Sequence, residues 1–293
     1  MRLNSANRSF ASIVVVGAGA FGVFVGAACC WALSMVLYRL TTDGAAALTQ
    51  VSTLAALLLI ALLGISSLLA VRSLRSQSAD TRRLGQWVRQ HRAPPEPGLT
   101  RAAQASQLGD RVDLVEAETP FSFAYGALRP RVAVSRRLVE SVSAPELEAV
   151  LHHESYHVAA YDPLKVVLAR SLPDSLFFIP VLAELRCRYV TARELAADRQ
   201  AMGTTGSIPL AGALYKVVAG PPEIELGAAA AIGGDEALDA RVTQLESGAE
   251  PRLGRLSRSR MIASFGAGGV LIWATVSSFI GFAPLMARLC TGR

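Results

Sequence analysis

Three long runs of sequence without a charged side chain constrain the fold of this chain most. They cover Ser9–Tyr38, Gly44–Val71 and Met261–Ala287. Each run exceeds the roughly 20 apolar residues that a helix needs to cross a bilayer. Only 18% of all residues are charged, against about a quarter in soluble domains. The sequence therefore predicts a mainly α-helical membrane protein with three transmembrane helices.

Arginines are unevenly distributed around these runs. The loop between the first two runs holds only Arg39 and Asp43 as charged residues. The arginines that follow the second run or precede the third are Arg72, Arg75, Arg82, Arg83, Arg89, Arg92, Arg252, Arg255, Arg258 and Arg260. The positive-inside rule then places residues 72–260 in the bacterial cytoplasm and the C-terminus outside. We expect the basic excess to contact anionic membrane lipid, with no direct binding of nucleic acid.

The first run contains the segment IVVVGAGAFG, which matches a dinucleotide-binding fingerprint through Gly17, Gly19 and Gly22. That fingerprint requires a following helix with one solvated face. The residues that follow here, VFVGAACCWALSMVLY, are apolar on every side. We therefore expect a membrane helix and no dinucleotide. Because the run is much longer than the core of a signal peptide, we interpret it as an uncleaved anchor.

The polar part of the chain lies between the second and third runs. Residues 72–111 predict a basic juxtamembrane helix that leads into a linker at APPEPG. The alternating segment VDLVEAE, followed by PFSFAYG and RVAVS, predicts a short antiparallel sheet with Phe121–Tyr125 as a possible edge strand. The predicted organisation is a two-helix anchor over residues 1–71, the linker over 72–111, a small α+β domain over 112–250 and a C-terminal span over 251–293.

A well-marked helix follows the predicted sheet. Ser143-Ala144-Pro145-Glu146 forms a capping box at its start. The pair Asp162-Pro163 predicts its end, because the residue before a proline avoids the helical conformation. We expect Asp162 to cap the next helix rather than to take part in chemistry.

Three of the four histidines of the chain lie in this helix, in the sequence HHESYH. His153 and His157 are four residues apart, so their side chains lie on one face and can bind one metal ion. Glu154 lies beside them and can accept a proton from water. His152 points about 100° away from His153, and we interpret it as a surface or packing residue.

A catalytic zinc site requires three protein ligands and one open position. No further histidine is close in sequence, so the third ligand must be an acid. Glu194 and Asp198 are four residues apart on the next well-formed helix. One of them can bind the metal while the other accepts a hydrogen bond from a ligating histidine. We assign Glu194 to zinc and Asp198 to the histidine; the alternative is an exposed face with pairing to arginines.

This set of residues would suit hydrolysis of a peptide bond, with Zn²⁺ polarising the carbonyl and Glu154 handling the proton. The predicted edge strand could bind a substrate backbone by strand addition, with Phe121, Phe123 and Tyr125 at the site. Tyr156 and Arg193 are candidates for stabilising the oxyanion.

The stretch ALRPRVAVSRRLVESVSAPELEAVLHHESYHVAAYDPL, followed by RELAAD, resembles the integral-membrane zinc peptidases of the BlaR/MecR type. The resemblance covers about residues 113–205. It implies a zincin-like metalloprotease domain of the gluzincin group on the cytoplasmic side of the membrane. The family pattern, HExxH with a downstream ExxxD, falls on His153, Glu154, His157, Glu194 and Asp198. It also implies signalling, in which the peptidase cleaves itself and inactivates a cytoplasmic winged-helix repressor.

The sequence departs from that family in two respects. The antibiotic sensors carry a large extracellular penicillin-binding domain after the last span, where only about LCTGR follows here, and they usually have more N-terminal spans. We therefore do not expect β-lactam sensing. The ELAAD segment also resembles HtpX-like and prenyl-protein proteases, which act in quality control or maturation of membrane proteins. A third alternative is a catalytically silent membrane signalling partner, against which the complete set of site residues argues.

Overall fold

The computed structural model describes residues 5–27, 31–218 and 235–291. The protein is mainly helical and contains one small sheet. The helices are α1 (Ser5–Ala27), α2 (Leu33–Asp43), α3 (Val51–Gln90), α4 (Pro97–Ala105), α5 (Arg136–Ser141), α6 (Ala144–Ala159), α7 (Asp162–Ser175), α8 (Val181–Thr205), α9 (Ser207–Val218), α10 (Asp235–Ser247) and α11 (Arg258–Thr291). The strands are β1 (Arg92–Ala93), β2 (Val112–Val115), β3 (Ser122–Tyr125) and β4 (Arg131–Ser135).

Two helices of the described chain are long and apolar enough to cross a membrane. They are α3 and the part of α11 from Arg258 to Gly281, and they contain most of the second and third charge-free runs. The first run is divided between α1 and α2, and residues 28–30 lie outside the described part. The helical interpretation of IVVVGAGAFG is confirmed by α1. The membrane span predicted for the first run remains a prediction, and so does the orientation of the chain across the membrane.

The chain divides into two compact units. The first comprises Met1–Phe10, Leu74–Ala169 and Cys187–Gly254, and the second comprises Ala11–Ser73, Arg170–Arg186 and Arg255–Arg293. In the second unit, small side chains let the helices α2, α3 and α11 pack closely; Ala32, Ala55, Ala56 and Ala274 are buried there together. The boundaries that the sequence predicts near residues 71, 111 and 250 remain predictions.

The sheet belongs to the first unit, and its strand order is β1-β2-β4-β3. β3 is therefore an edge strand, as predicted. The prediction of a wholly antiparallel sheet is wrong for one pair, because β2 and β4 are parallel. The reason is the strand order. β3 lies at the edge and runs antiparallel to β4, and β4 therefore lies between β3 and β2 instead of β3 lying next to β2.

Different helices cover the two faces of the sheet. On one face, Leu114, Val132 and Val134 share a core with residues of α4 and α6. On the other face, Val115, Phe121, Phe123, Tyr125 and Ala133 pack against Val88 and other residues in the C-terminal part of α3. Successive residues of a strand point to opposite faces, so Ser122 and Ala124 point towards the α6 side.

The segment that the sequence marks as a linker is folded. Pro97 begins α4, where a proline is tolerated because its missing N–H has no helical partner. Leu99 and Ala103 of this helix are buried in the same core as α6. The proline-rich APPEPG therefore marks the start of a helix that closes the core, and not a free connection.

Asp113 is a buried carboxylate that ties three parts of the sheet together. Its Oδ2 accepts hydrogen bonds of 2.6 Å from the Tyr125 hydroxyl and of 2.6 Å from Nε of Arg131. Its Oδ1 lies 2.9 Å from Nη2 of Arg92. Burial alone would raise the pKa of Asp113, but these donors lower it below its usual value.

We expect Asp113→Ala to lower the free energy of unfolding by about 1.5–3 kcal/mol, since it removes hydrogen bonds to a charged group. Because the pKa of Asp113 is lower in the folded state, this stabilisation is present above about pH 4 and is lost as the pH falls further. Chemical unfolding in detergent at two pH values measures both effects. The exposed neighbour Asp110 provides the control, Asp110→Ala, which should change stability little.

Candidate active site

Helix α6 holds the predicted metal-binding motif, and its bounds follow the sequence signals. The backbone N–H of Ser143 donates to Oε2 of Glu146 at 2.6 Å, so the predicted capping box is confirmed. The helix ends at Ala159, before Asp162-Pro163 as predicted. Leu147, Leu151 and Val158 fix one side of it in the core, which directs the histidines to the opposite side.

The structure brings His153, His157 and Glu194 together in one buried cluster. One ligand atom of each residue lies within 4.8 Å of the others. The two Nε2 atoms of the histidines are 3.1 Å apart. The Glu194 oxygens lie 3.5 Å from Nε2 of His153 and 3.8 Å from Nε2 of His157. His152 lies outside the cluster, with its Nε2 3.7 Å from Glu148.

Each histidine of the cluster is held by a carboxylate at its other ring nitrogen. Nδ1 of His153 donates to Oδ1 of Asp198 at 2.8 Å, the contact predicted for Asp198. Nδ1 of His157 donates to Oδ2 of Asp162 at 2.6 Å. With the Nδ1 protons used in this way, the Nε2 lone pairs of both rings face the centre of the cluster, as metal-binding histidines require.

Asp162 therefore has a role that the sequence analysis did not assign. Its Oδ1 also accepts a hydrogen bond of 3.1 Å from the hydroxyl of Tyr189. Burial opposes ionisation of Asp162, but the hydrogen bond from His157 lowers its pKa below the usual value. Tyr161 adopts a left-handed φ of 55°, a turn that carries the next side chain back towards His157. The expectation that Asp162 serves only as a cap is wrong.

Two arginines surround the carboxylates of the cluster. Arg241 of α10 donates to Asp198 through Nε at 2.8 Å and through Nη2 at 2.9 Å, and its Nη1 lies 3.6 Å from Glu194. Nη2 of Arg193 lies 3.0 Å from Glu194. Burial would raise the pKa of Glu194, but Arg193, His157 and Arg241 hold it well below the usual value. Glu194 is therefore a carboxylate ready to bind a cation.

The surroundings of His153 favour its positively charged form. Burial alone would lower the pKa of His153, but its contacts with Asp198 and Glu194 raise that pKa to about 9. Two neutral imidazole nitrogens and one carboxylate oxygen form the donor set of a catalytic zinc site. The residues of the cluster thus fit a divalent metal ion in both donor type and charge.

Glu154 lies next to the cluster but is not one of its ligands. It is buried, and its Oε1 accepts a hydrogen bond of 2.8 Å from the hydroxyl of Ser122. Ser122 is in the edge strand β3, so this contact connects the predicted base to the strand that the sequence assigns to substrate binding. Ser122 is not recognisable from the sequence, because nothing in PFSFAYG marks one polar residue as facing the motif helix.

The cluster opens into a cavity of about 680 Å³. His153, Glu154, His157 and Glu194 line it on one side. Its other walls include residues of β3 and the residue before it, of the C-terminal part of α3, of α7 and of α9: Leu84, Trp87, Phe121, Phe123, Tyr125, Val166, Val167, Leu210 and Leu214. A mainly apolar cavity with a few polar groups converging on one point is typical of a substrate site.

The backbone of β3 presents free hydrogen-bonding groups at this cavity. Phe121 pairs inward, since its carbonyl accepts from the N–H of Ser135 at 3.0 Å. In an antiparallel pair these groups alternate, so the N–H and C=O groups of Ser122 and Ala124 point to the open edge. The side chains of Phe121, Phe123 and Tyr125 are packed against α3 instead. Their role in substrate binding stays a prediction, and so do the oxyanion roles of Tyr156 and Arg193.

The buried cluster and the two long apolar helices fit a membrane-associated metallopeptidase. The particular family comes from its sequence. The chain belongs to the BlaR1 peptidase M56 family, whose sequence model matches residues 29–245.

A curated relative supports the same class. Protease HtpX of Erwinia tasmaniensis is 31% identical over 152 residues, which are 49% of this chain and 49% of that protein. The chain thus spans about half the length of the curated relative it matches. No solved structure matches the chain.

Proposed function

We propose that this protein is a zinc-dependent endopeptidase of the bacterial cytoplasmic membrane, with its active site on the cytoplasmic side. One observation carries the proposal: His153, His157 and Glu194 converge in a buried cluster beside Glu154. Family membership supports the peptidase activity. The arginines next to the second and third charge-free runs support the orientation.

His153, His157 and Glu194 would hold the zinc ion. When bound, zinc supplies a Lewis acid that polarises the scissile carbonyl and acidifies water. Glu154 accepts the proton of the attacking water and passes it to the amine that leaves. The hydroxyl of Ser122 occupies one oxygen of that carboxylate, which leaves the other oxygen to exchange the proton.

The open edge of β3 gives a means of holding an extended substrate. A peptide that pairs with Ser122 and Ala124 would add a strand to the sheet. Its backbone would then lie at the strand whose Ser122 contacts Glu154. Positioning through backbone groups favours an unfolded or flexible segment of a protein as substrate.

Signalling by cleavage is the role that membership of the BlaR1 peptidase family supports best. In this role the protein would cleave itself, a cytoplasmic winged-helix repressor, or both. A second role is proteolysis of membrane proteins for quality control or maturation, which the 31% identity to Protease HtpX favours. A silent signalling partner is the alternative without enzymatic activity.

Substrate trapping separates these roles. The inactive variant Glu154→Ala is expressed in the native membrane and purified together with whatever it retains. Signalling predicts a small DNA-binding repressor among the trapped proteins, whereas quality control predicts misfolded membrane proteins. If the variant and the wild-type protein retain the same partners intact and neither contains zinc, the silent-partner alternative is correct.

Asp162 provides a prediction about zinc binding. Asp162→Asn keeps an oxygen acceptor for His157 but removes the charge, so we expect zinc affinity to fall by about tenfold, and by about 100-fold in Asp162→Ala. Competition with a chelator for zinc measures the affinity. The exposed Asp239 provides the control, Asp239→Asn. An unchanged affinity in Asp162→Ala would show that this carboxylate does not support a metal ligand.

A further inference from the structure

A second concavity lies on the α3 side of the sheet. Its volume is about 690 Å³. Five arginines line it: Arg82, Arg89, Arg92, Arg129 and Arg131. Five guanidinium groups around one concavity create a positive potential that attracts an anion.

The protein itself supplies little of that neutralisation. Asp113 is the one acidic residue among the lining residues, and it is already bound to Arg92, Arg131 and the hydroxyl of Tyr125. In the described part of the chain, no carboxylate lies within ion-pair distance of Arg82, Arg89 or Arg129. All three are exposed. The lining therefore carries five positive charges against one negative charge.

Local backbone features hold these arginines around the concavity. Arg82 and Arg89 are seven residues apart on α3, so they lie on the same face two turns apart. Gly85 lies between them, and a Cβ there would make only ordinary contact with Nη1 of Arg89, at 3.5 Å. Gly126 begins the turn that carries Arg129. Its φ of 87° and a distance of 2.7 Å from an added Cβ to the Arg129 carbonyl require glycine at this position.

We propose that this concavity is a binding site for a small phosphomonoester. Guanidinium groups match phosphate oxygens by paired hydrogen bonds, and a phosphomonoester brings nearly two negative charges to one point. The five guanidinium groups lie around one concavity, and this concentration of charge favours a compact ligand over an extended polymer. The site is separate from the peptidase cluster, although Tyr125 and Gly126 line both cavities.

The phosphomonoester could be a free small molecule or the headgroup of a lipid, and experiment can distinguish the two. Glycerol 3-phosphate is a free phosphomonoester, and dihexanoyl phosphatidic acid carries the same group on short acyl chains. Isothermal titration calorimetry of the full-length protein in a neutral detergent measures the binding of each probe. Dihexanoyl phosphatidylcholine, which has no phosphomonoester, is the ligand control.

The decisive variant replaces Arg82, Arg89 and Arg129 with glutamine. None of them has a carboxylate partner in the described chain, so the fold should be retained, and we expect binding to weaken at least about tenfold. The matched control replaces the exposed Arg101, Arg137 and Arg252 with glutamine, which removes the same charge elsewhere. If the triple variant loses its thermal unfolding transition, Arg129→Gln alone tests the same site.

Saturable binding of either probe that weakens only in the Arg82/Arg89/Arg129 variant supports the site. Binding of glycerol 3-phosphate identifies a soluble ligand, whereas binding of phosphatidic acid alone identifies a lipid headgroup. The proposal is overturned if neither probe binds saturably, if phosphatidylcholine binds equally well, or if both triple variants weaken binding to the same extent.

Discussion

Glu154→Gln is expected to reduce peptide-bond cleavage by about 10²–10⁴-fold. Glutamine has nearly the shape of glutamate and can still contact Ser122, but it cannot accept the proton of the attacking water. Glu154 is buried beside the cluster without belonging to it, so the variant should bind as much zinc as the wild-type protein. Initial cleavage rates of an unfolded protein substrate in detergent, together with zinc content, measure the two properties separately.

The same substitution elsewhere on α6 provides the control. Glu148 is on the same helix but has an exposed side chain, so Glu148→Gln should cleave at the wild-type rate. A Glu154→Gln protein that keeps its zinc and cleaves within a few-fold of the wild-type rate would rule out Glu154 as the base. If the variant also loses zinc, the comparison must be made at saturating zinc before any catalytic conclusion is drawn.

Glu194→Gln is expected to lower zinc affinity by more than about 100-fold, because it removes a ligand rather than one of its supports. The loss of zinc should also abolish peptide-bond cleavage. The change also removes the negative charge with which Arg193 and Arg241 form ion pairs. Arg241 keeps Asp198 as a partner, but Arg193 would lie beside a neutral side chain and repel a divalent cation, which adds to the loss of the ligand atom.

Zinc bound per chain, measured by mass spectrometry after dialysis against a weak chelator, tests this expectation. Glu246 is an exposed glutamate on α10, and Glu246→Gln should keep the wild-type zinc content. Zinc retention in Glu194→Gln would mean that a different acid completes the site. In that case Asp198, four residues further along α8, would be the first candidate.

The sequence was sufficient to predict the motif helix and the partners on α8. The capping box, the HExxH spacing and the stop at Asp162-Pro163 all depend on residues close in the chain. A helix has a fixed geometry, so local spacing is enough to place His153 and His157 on one face. The pairing of Glu194 with Asp198 follows from the same spacing.

The parts that the sequence did not predict depend on contacts between distant segments. Arg241 is 43 residues from Asp198, and Ser122 is 32 residues from Glu154. No local pattern connects such pairs. Asp162 was close enough to be found, but its contact with His157 requires the left-handed turn at Tyr161, a conformation that a tyrosine rarely adopts.

The APPEPG segment shows how one local signal can have two meanings. Prolines and a glycine suit a linker, yet a proline is also favourable in the first turn of a helix. Burial of Leu99 and Ala103 decides between these possibilities, and burial is a property of the whole fold. The charge-free runs are simpler, since length and composition alone correctly predict the apolar parts of α3 and α11.

The most direct test of the central claim is zinc-dependent cleavage by the purified full-length protein. The protein is stripped with a chelator, returned to neutral detergent buffer and supplied with zinc while cleavage of an unfolded protein substrate is followed. Our account predicts that stripping abolishes cleavage and that one equivalent of zinc per chain restores it. Cleavage that survives complete removal of metal, or no cleavage by the zinc-loaded protein, would contradict it.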